Sequence, residues 1–599
     1  MMLSISRSRL VTLTLVAALY LPLAAMHVAA QTPAAHSHDP WWKHGILYEI
    51  YPRSFQDTNA DGVGDINGIT SHLGYLQSLG IDAIWITPMY PSPQVDFGYD
   101  IADYTAIDPR YGTMADFDRL MAEAKRHHIR VIMDYVPNHT SDQNAWFKES
   151  RSSRTNPRRN WYIWNDGIPS TRPNLTALQL KNQHDGPAGK VVPPNNWQSW
   201  FGGSAWQWDE RTQQFYYHYF YVQQPDLNWR NPEVQKAMLN VLRFWMDKGV
   251  SGFRIDAVSR LFEDPQLRND PNLPGTNAFG DPNIQHKYTD DLPQVHDMLR
   301  AMRAVVDKYP GDPVLISEAD EPTIADLSKM YGAHNDEVQL PMDFQVADIN
   351  QLSVPLFRNN IDQVEHNPAH GQPYFFFGNH DQDRIWDRYS VGVTDPALKA
   401  RIARIMATLL LTSRSTPQLY YGDEIGMVTS TPTRKQDVKD PEGITGWPKQ
   451  KGRDGERTPM QWNATKDAGF STATKTWLPI PPTYTTINVE AESSAPDSLL
   501  NWYKRLIVRR RTNPALISGI MTMFDATNQN ILSYLRTAPS GQAVLVAMNF
   551  TSQPQTLSLE DLGTRHLTTL QTDDPTLLHI APGKTITLAP YATLIANAK

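Results

Sequence analysis

The sequence predicts an α/β chain built on a (β/α)8 TIM barrel, with a small domain inserted after the third strand and an antiparallel β-domain at the C-terminus. Three observations predict it. Eight short runs are apolar on both faces, as strands of a buried parallel sheet are: residues 46–51, 83–87, 130–135, 252–256, 314–317, 338–342, 374–377 and 418–421. Helix-period runs alternate with them, which is the order of a barrel rather than of an all-β or all-helical chain. Beyond residue 515 the pattern changes to short alternating runs separated by turn residues.

Taken from the N-terminus, Arg7 and Arg9 precede an apolar stretch over 10–25, and Val28-Ala29-Ala30 offers small residues for cleavage before Gln31. This predicts a signal peptide over 1–30 and a secreted or periplasmic product. The barrel begins in 31–139. In 114–128, Phe117, Leu120, Met121 and Ala124 fall on one helical face. Residues 140–215 are rich in Asn, Pro, Trp and Arg with little periodicity, too long for a bare loop, and predict the inserted domain. The barrel resumes over 216–515. Its helix at 232–248 has Asn231 as N-cap, Pro232 in its first position and Gly249 as its stop. The last barrel helix is predicted at 497–511. Runs at 531–535, 543–549 and 585–588 predict the β-domain over 516–599 as a sandwich.

Composition narrows the function. The 599 residues exceed one hydrophobic core. A net charge of -8 gives no footprint for nucleic acid or an anionic membrane. With Cys 0, disulfides, thiol nucleophiles and cysteine metal sites are excluded. The expectation is no nucleic acid as partner and no membrane contact beyond the export signal.

In a barrel of this kind chemistry sits where strands end. The third run ends in Asp134 to His139, the fourth in Arg254-Ile255-Asp256, the fifth in Ser317-Glu318 and the seventh in Asn379-His380-Asp381. One such carboxylate could be a cap or a salt-bridge partner; three on different strands converge on one mouth. Converging carboxylates suit glycoside cleavage, in which one group protonates the leaving oxygen and a second attacks or stabilises the anomeric carbon. Arg254 shares a strand face with Asp256 and is expected to keep it ionised. Glu318 has no cation beside it in sequence, which leaves room for a raised pKa.

These segments resemble, in order, the α-amylase clan, glycoside hydrolase family 13, over almost the whole mature chain. Gln224-Pro225-Asp226-Leu227-Asn228 and Arg457-Thr458-Pro459-Met460-Gln461-Trp462 are similar to markers of its oligo-1,6-glucosidase and α-glucosidase group. The resemblance implies Asp256 as nucleophile, Glu318 as acid/base and Asp381 as the third carboxylate, binding ring hydroxyls. His139 and His380 match sugar-binding histidines, and Arg254 the arginine beside the nucleophile. Tyr99, in Phe97-Gly98-Tyr99-Asp100, matches a tyrosine that stacks on the terminal glucose. Asp100 with Arg457 matches a pair gripping the non-reducing end, which would make cleavage exo. Phe201 is expected to line the same pocket. The implied activity is a retaining, exo-acting α-glucosidase whose partner is a small oligosaccharide. It would remove terminal α-linked glucose from maltose-type oligosaccharides or disaccharides via a covalent glucosyl-enzyme intermediate. The alternative is a transglucosidase, sucrose isomerase, trehalose synthase or oligo-1,6-glucosidase.

Oxygen side chains at alternate positions around a central Gly, in residues 57–65, look like the first half of an EF-hand loop. Relatives carry Ca2+ or Mg2+ at the matching loop. The implied ligands of a structural ion are Asp57, Asn59, Asp61 and Asp65, with the carbonyl of Val63. Tyr135 and Pro137 depart from the family's commoner residues. Ala257, where strict α-1,6 enzymes usually carry Val, tilts the expectation towards α-1,4 links. The loop around Arg384 and Arg388 is expected to bear on hydrolysis against transfer.

Overall fold

The computed structural model describes residues 39–367 and 371–599. The expected signal peptide lies outside them. Residues 40–599 form one compact unit.

Eight parallel strands build the barrel. They are β1 Leu47–Ile50, β2 Ala83–Ile86, β3 Arg130–Tyr135, β4 Gly252–Ile255, β5 Val314–Ser317, β6 Leu340–Pro341, β7 Tyr374–Phe375 and β8 Thr416–Tyr420. Their order is β6-β5-β4-β3-β2-β1-β8-β7. A parallel bridge from Met342 to Tyr374 joins the two ends and closes the ring. The strands are buried on both faces because alternate residues serve two cores. Leu47, Trp85, Ile132, Ile316 and Leu340 fill the barrel, while Tyr48, Ile84, Val131, Phe253 and Leu315 face the surrounding helices. That parity carries the interior row upward to Glu49, Asp134 and Arg254, so polar groups crown an apolar plug.

Gly252 stands where β4 presses on β5. At φ 144°, an added Cβ would meet the Val314 carbonyl oxygen at 2.0 Å, so no side chain is tolerated there. The helices follow the sequence signals closely. Thr113 and Asp116 form a capping box on Met114–Arg126. Asn231 caps Pro232–Asp247 by accepting from the Glu233 N–H.

Between β3 and β4 lie two small three-stranded sheets and a separate aromatic core of Trp197, Trp206, Trp208, Phe215, Tyr217 and Tyr219. Its last strand is Gln214–Tyr217. Bridges from His139 to Asp226 and from Tyr162 to Leu227 tie this insertion to the barrel rim.

The C-terminal domain has a five-stranded antiparallel sheet and a two-stranded one. Along Ala543–Asn549, Leu545 and Ala547 face the smaller sheet's Leu557 and Leu588, while Val544, Val546 and Met548 join the main core. Among the described residues no helix is long and apolar enough to cross a membrane.

Candidate active site

A cavity of about 390 Å³ opens at the C-terminal end of the barrel. Its position is the one that barrel geometry reserves for chemistry. Asp256, Glu318 and Asp381, contributed after β4, β5 and β7, all line it, together with Tyr99, His139, Phe201 and His380.

Arg254 organises the floor. It is fully buried and projects from the interior face of β4. Its Nη1 donates to Asp256 Oδ1 at 2.6 Å and to the Asp134 carboxylate at 3.1 and 3.2 Å. Its Nη2 lies 2.7 Å from Glu318 Oε1. The i, i+2 spacing correctly places the guanidinium beside Asp256. The expectation that Glu318 has no adjacent cation is corrected: β5 pairs with β4 and brings Glu318 to the other nitrogen of the same guanidinium. Burial, opposed by Arg254, pushes Glu318 up to about 7. Burial likewise outweighs Arg254 at Asp256 and pushes it up to about 7, which corrects the expectation that Arg254 keeps it ionised across the ordinary carboxylate range. The three carboxyl groups around this one cation, Asp134, Asp256 and Glu318, therefore share a proton near neutrality. That is the condition for a donor to a departing oxygen.

Asp381 differs. Burial raises it, but His380, Arg453, Arg457 and Arg254 outweigh that and hold it well below the usual carboxylate range. It takes bonds to Oδ1 from Arg457 Nη2 at 2.7 Å and from Arg453 Nη1 at 2.9 Å. It stays an anion.

Ala257, directly after Asp256, has φ 45° and ψ 39°. This left-handed turn is strained for a residue with a Cβ. It aims the Ala257 N–H at Glu318 Oε2, 3.0 Å away. Tyr99 bonds Asp134 Oδ2 at 3.0 Å and His380 Nε2 at 2.8 Å, and its ring lies parallel to the His380 ring at 5.4 Å. His139, lowered to about 4 by burial, is neutral and contacts Asn138, Gln224 and the Tyr99 carbonyl. Phe201 stacks on Tyr221 at 4.0 Å.

Asp100 and Arg457 do not form the expected gripping pair. Asp100 is fully buried, and its carboxylate folds back onto its own loop through Ser92 Oγ and the N–H groups of Val95 and Asp96. Arg457 lies behind Asp381 and donates Nε to the His380 carbonyl. The pair that lines the cavity is Asp96 with Arg453, at 3.0 Å. Each stands four residues before the one expected. Arg453 also holds Asp440 at 2.9 Å, and its guanidinium sits 5.7 Å over the Phe201 ring. The sequence offered a signal: two arginines stand in one short loop. Arg384 and Arg388 are spent on carbonyls and local partners, and the cavity is lined by Gln382 just before them rather than by either arginine.

The loop after β1 carries the expected metal ligands. Asp57 Oδ1 accepts from Asn59 N at 3.0 Å, Asn59 Oδ1 from Asp61 N at 3.0 Å, and Asp61 Oδ1 from Val63 N at 2.8 Å. Asp65 caps the helix Ile66–Ser71 through Gly68 N at 2.8 Å. Gly62, at φ 89°, packs so closely that a Cβ would meet the Lys475 carbonyl oxygen at 2.2 Å. Among the described residues no three His, Asp or Glu side chains converge as a metal cluster. The donor set here mixes carboxylates, an amide and a carbonyl. Asn59 Oδ1 and Asp61 Oδ1 each accept one backbone N–H. Both carboxylate oxygens of Asp57 and of Asp65 already accept two hydrogen bonds, from Asn59, Ala60, Gly62 and Ser471 and from Thr58 and Gly68. An all-oxygen set of this kind fits a hard cation, which would have to displace some of those bonds at Asp57 and Asp65.

The α-amylase catalytic domain matches residues 49–519, and the C-terminal domain of maltogenic amylase matches residues 521–595. A probable α-glucosidase of Rhizobium meliloti is 39% identical over 530 residues, covering 87% of this chain and 91% of that protein. An oligo-1,6-glucosidase of Heyndrickxia coagulans is 37% identical over 545 residues, covering 85% and 92%. The solved trehalulose synthase MutB of Pseudomonas mesoacidophila superposes with a TM-score of 0.83 at 35% identity, covering 94% of this chain and 100% of that one. With three carboxylates at the mouth of a closed barrel and these likenesses over most of its length, the chain belongs to the α-amylase family, glycoside hydrolase family 13, as a glycoside hydrolase of the α-glucosidase kind.

Proposed function

We propose that this protein is a retaining, exo-acting α-glucosidase that removes terminal α-linked glucose from maltose-type oligosaccharides or disaccharides. One observation carries the reading. Asp256 and Glu318 are gripped by the two terminal nitrogens of one guanidinium and face one cavity. Sharing one guanidinium holds the two carboxyl groups as neighbours, which supports a retaining pair, whose carboxyl groups stand about 5–5.5 Å apart. Asp256 attacks the anomeric carbon while Glu318 protonates the leaving oxygen. Glu318 then takes the proton of the water that releases glucose. Asp381, held anionic, binds ring hydroxyls. The Asp96–Arg453 pair walls one end of the cavity, which supports cleavage one sugar from the non-reducing end.

Two measurements test this. Fresh product from p-nitrophenyl α-glucoside should be α-glucose by NMR, and early digestion of maltoheptaose should yield glucose. Initial β-glucose overturns retention, and early mid-chain fragments overturn exo cleavage. The likeness to a trehalulose synthase supports a second reading, in which a sugar rather than water takes the glucosyl group; products from sucrose and maltose separate the two.

For the loop of residues 57–65, the reading is a structural Ca2+ or Mg2+. Asp57, Asn59, Asp61 and Asp65 would hold it with the Val63 carbonyl, and when bound it would pin the loop after β1. Export is likewise inferred, from the charged and apolar pattern of the first 30 residues.

A further inference from the structure

Glu49 ends the interior row of β1, a single acid in an otherwise apolar strand. It is fully buried, 331 positions from His380 in the chain, and yet touches it twice. Glu49 Oε1 lies 2.7 Å from His380 Nδ1 and accepts the His380 backbone N–H at 3.2 Å. Its other oxygen accepts from Gln418 Nε2 at 2.7 Å. The imidazole is also clamped face-on between Tyr99 at 5.4 Å and Tyr51 at 6.0 Å. Glu49 touches neither the cavity nor the reacting carboxyl groups.

The acceptor beside it, the Asp381 carboxylate, favours a hydrogen on the outward nitrogen of His380. Nε2 lies 3.1 Å from Asp381 Oδ2 and 2.8 Å from the Tyr99 hydroxyl. That hydroxyl has one proton, and Asp134 Oδ2 accepts it at 3.0 Å. A bare Nε2 would then set its lone pair against the lone pairs of the anionic Asp381, so Nε2 carries hydrogen. Burial holds His380 well below the ordinary imidazole range and raises Glu49 well above the ordinary carboxylate range, so the ring is neutral and the proton between them sits on Glu49. Nδ1 then accepts from the Glu49 carboxyl group at 2.7 Å, which leaves the ring's one hydrogen on Nε2.

We infer that Glu49 is a positioning residue: by occupying Nδ1 of His380 it fixes the tautomer that presents Nε2–H to the cavity beside Asp381. The inference rests on the α-glucosidase reading for its kinetic consequence, because that proton is what a sugar hydroxyl would meet. The charged and titratable groups facing the pair are Arg254 on β4, Asp134 on β3, Asp381 after β7, Tyr374 on β7, Tyr420 on β8, and Arg453 and Arg457 beyond it.

The test compares the full-length parent with Glu49→Gln and Glu49→Leu. Loss of the orienting partner of a metal-bound histidine costs about 10–100-fold, and by the same geometric logic Glu49→Leu should lose on the order of tenfold or more in kcat/KM on p-nitrophenyl α-glucoside. Glu49→Gln should recover part of that loss, because its amide N–H donates to Nδ1 although it cannot also accept the His380 backbone N–H. NMR of the ring nitrogens in isotope-labelled histidine gives a readout that needs no turnover, with the His380 signal identified by its loss in His380→Asn. Parent and Glu49→Gln should show Nε2–H, and Glu49→Leu a mixture of tautomers. An unprotonated Nε2 in the parent overturns the inference. So does a Glu49→Leu protein with parental kinetics and tautomer. If Glu49→Leu fails to fold, the ring spectrum of Glu49→Gln decides: Nε2–H supports the inference and its loss overturns it. An inactive parent would instead sink the glucosidase reading, leaving the spectrum to judge Glu49.

Discussion

Arg453 Nη2 lies 3.0 Å from Asp96 Oδ1, joining the loop after β8 to the loop after β2 across the wall of the catalytic cavity. Both side chains are largely buried, with 15% and 8% exposed. Removing one partner strands the other, a loss of about 2–5 kcal/mol at a buried hydrogen-bonded charge pair. Arg453→Met should therefore lower kcat/KM on maltose by at least about 30-fold, mostly through KM. Its relative activity on maltoheptaose should hold up better, and mid-chain products should appear. Steady-state kinetics with chromatography of the products checks both.

Asp256→Asn should abolish nearly all turnover while leaving the fold intact, since the covalent step has no substitute nucleophile. A loss of at least about 10⁴-fold is expected. Glu318→Ala should keep slow attack on p-nitrophenyl α-glucoside, whose leaving group needs little protonation. Azide should accelerate that variant by replacing the water that Glu318 activates. No azide effect would count against Glu318 as the acid/base.

The pH profile should fall on its alkaline side near 7. Burial pushes Glu318 up to about 7, and above that pH the proton needed by the leaving oxygen is gone. The profile of kcat/KM reports the free enzyme. An alkaline limb several units higher would contradict the reading.

The same burial predicts a stability effect. Asp256 is raised from 3.8 to about 7, so between these values the folded state binds the extra proton. Stability then falls as pH rises through this window, and the full penalty is present above about 7. At about 1.4 kcal/mol per pH unit the ceiling is about 4 kcal/mol. Asp256→Asn should thus gain in Tm over the parent at about pH 8 and much less at about pH 4. A gain independent of pH would refute this.

Chelation should lower Tm if the loop after β1 holds its proposed ion. Free cation at about 100 times its Kd stabilises by about 2.7 kcal/mol, and chelation removes that term. Asp57→Ala should make the protein insensitive to added Ca2+ or Mg2+. Calorimetry with and without chelator checks it, and an unchanged Tm would remove the stabilising role.

The sequence by itself determined the barrel, the order of its strands and the identity of the carboxylates at their ends. Those depend on local signals: parity along a strand puts Arg254 and Asp256 on one face, and caps such as Asn231 mark the helices. Only the tertiary structure decided which loops meet. Asp96 and Arg453 are 357 positions apart, and Glu49 and His380 are 331 apart. Strand pairing also gave Glu318 the cation its own neighbours lack. Spacing within a segment cannot report such contacts, because barrel closure and loop packing, which bring distant chain together, are set by the whole core at once.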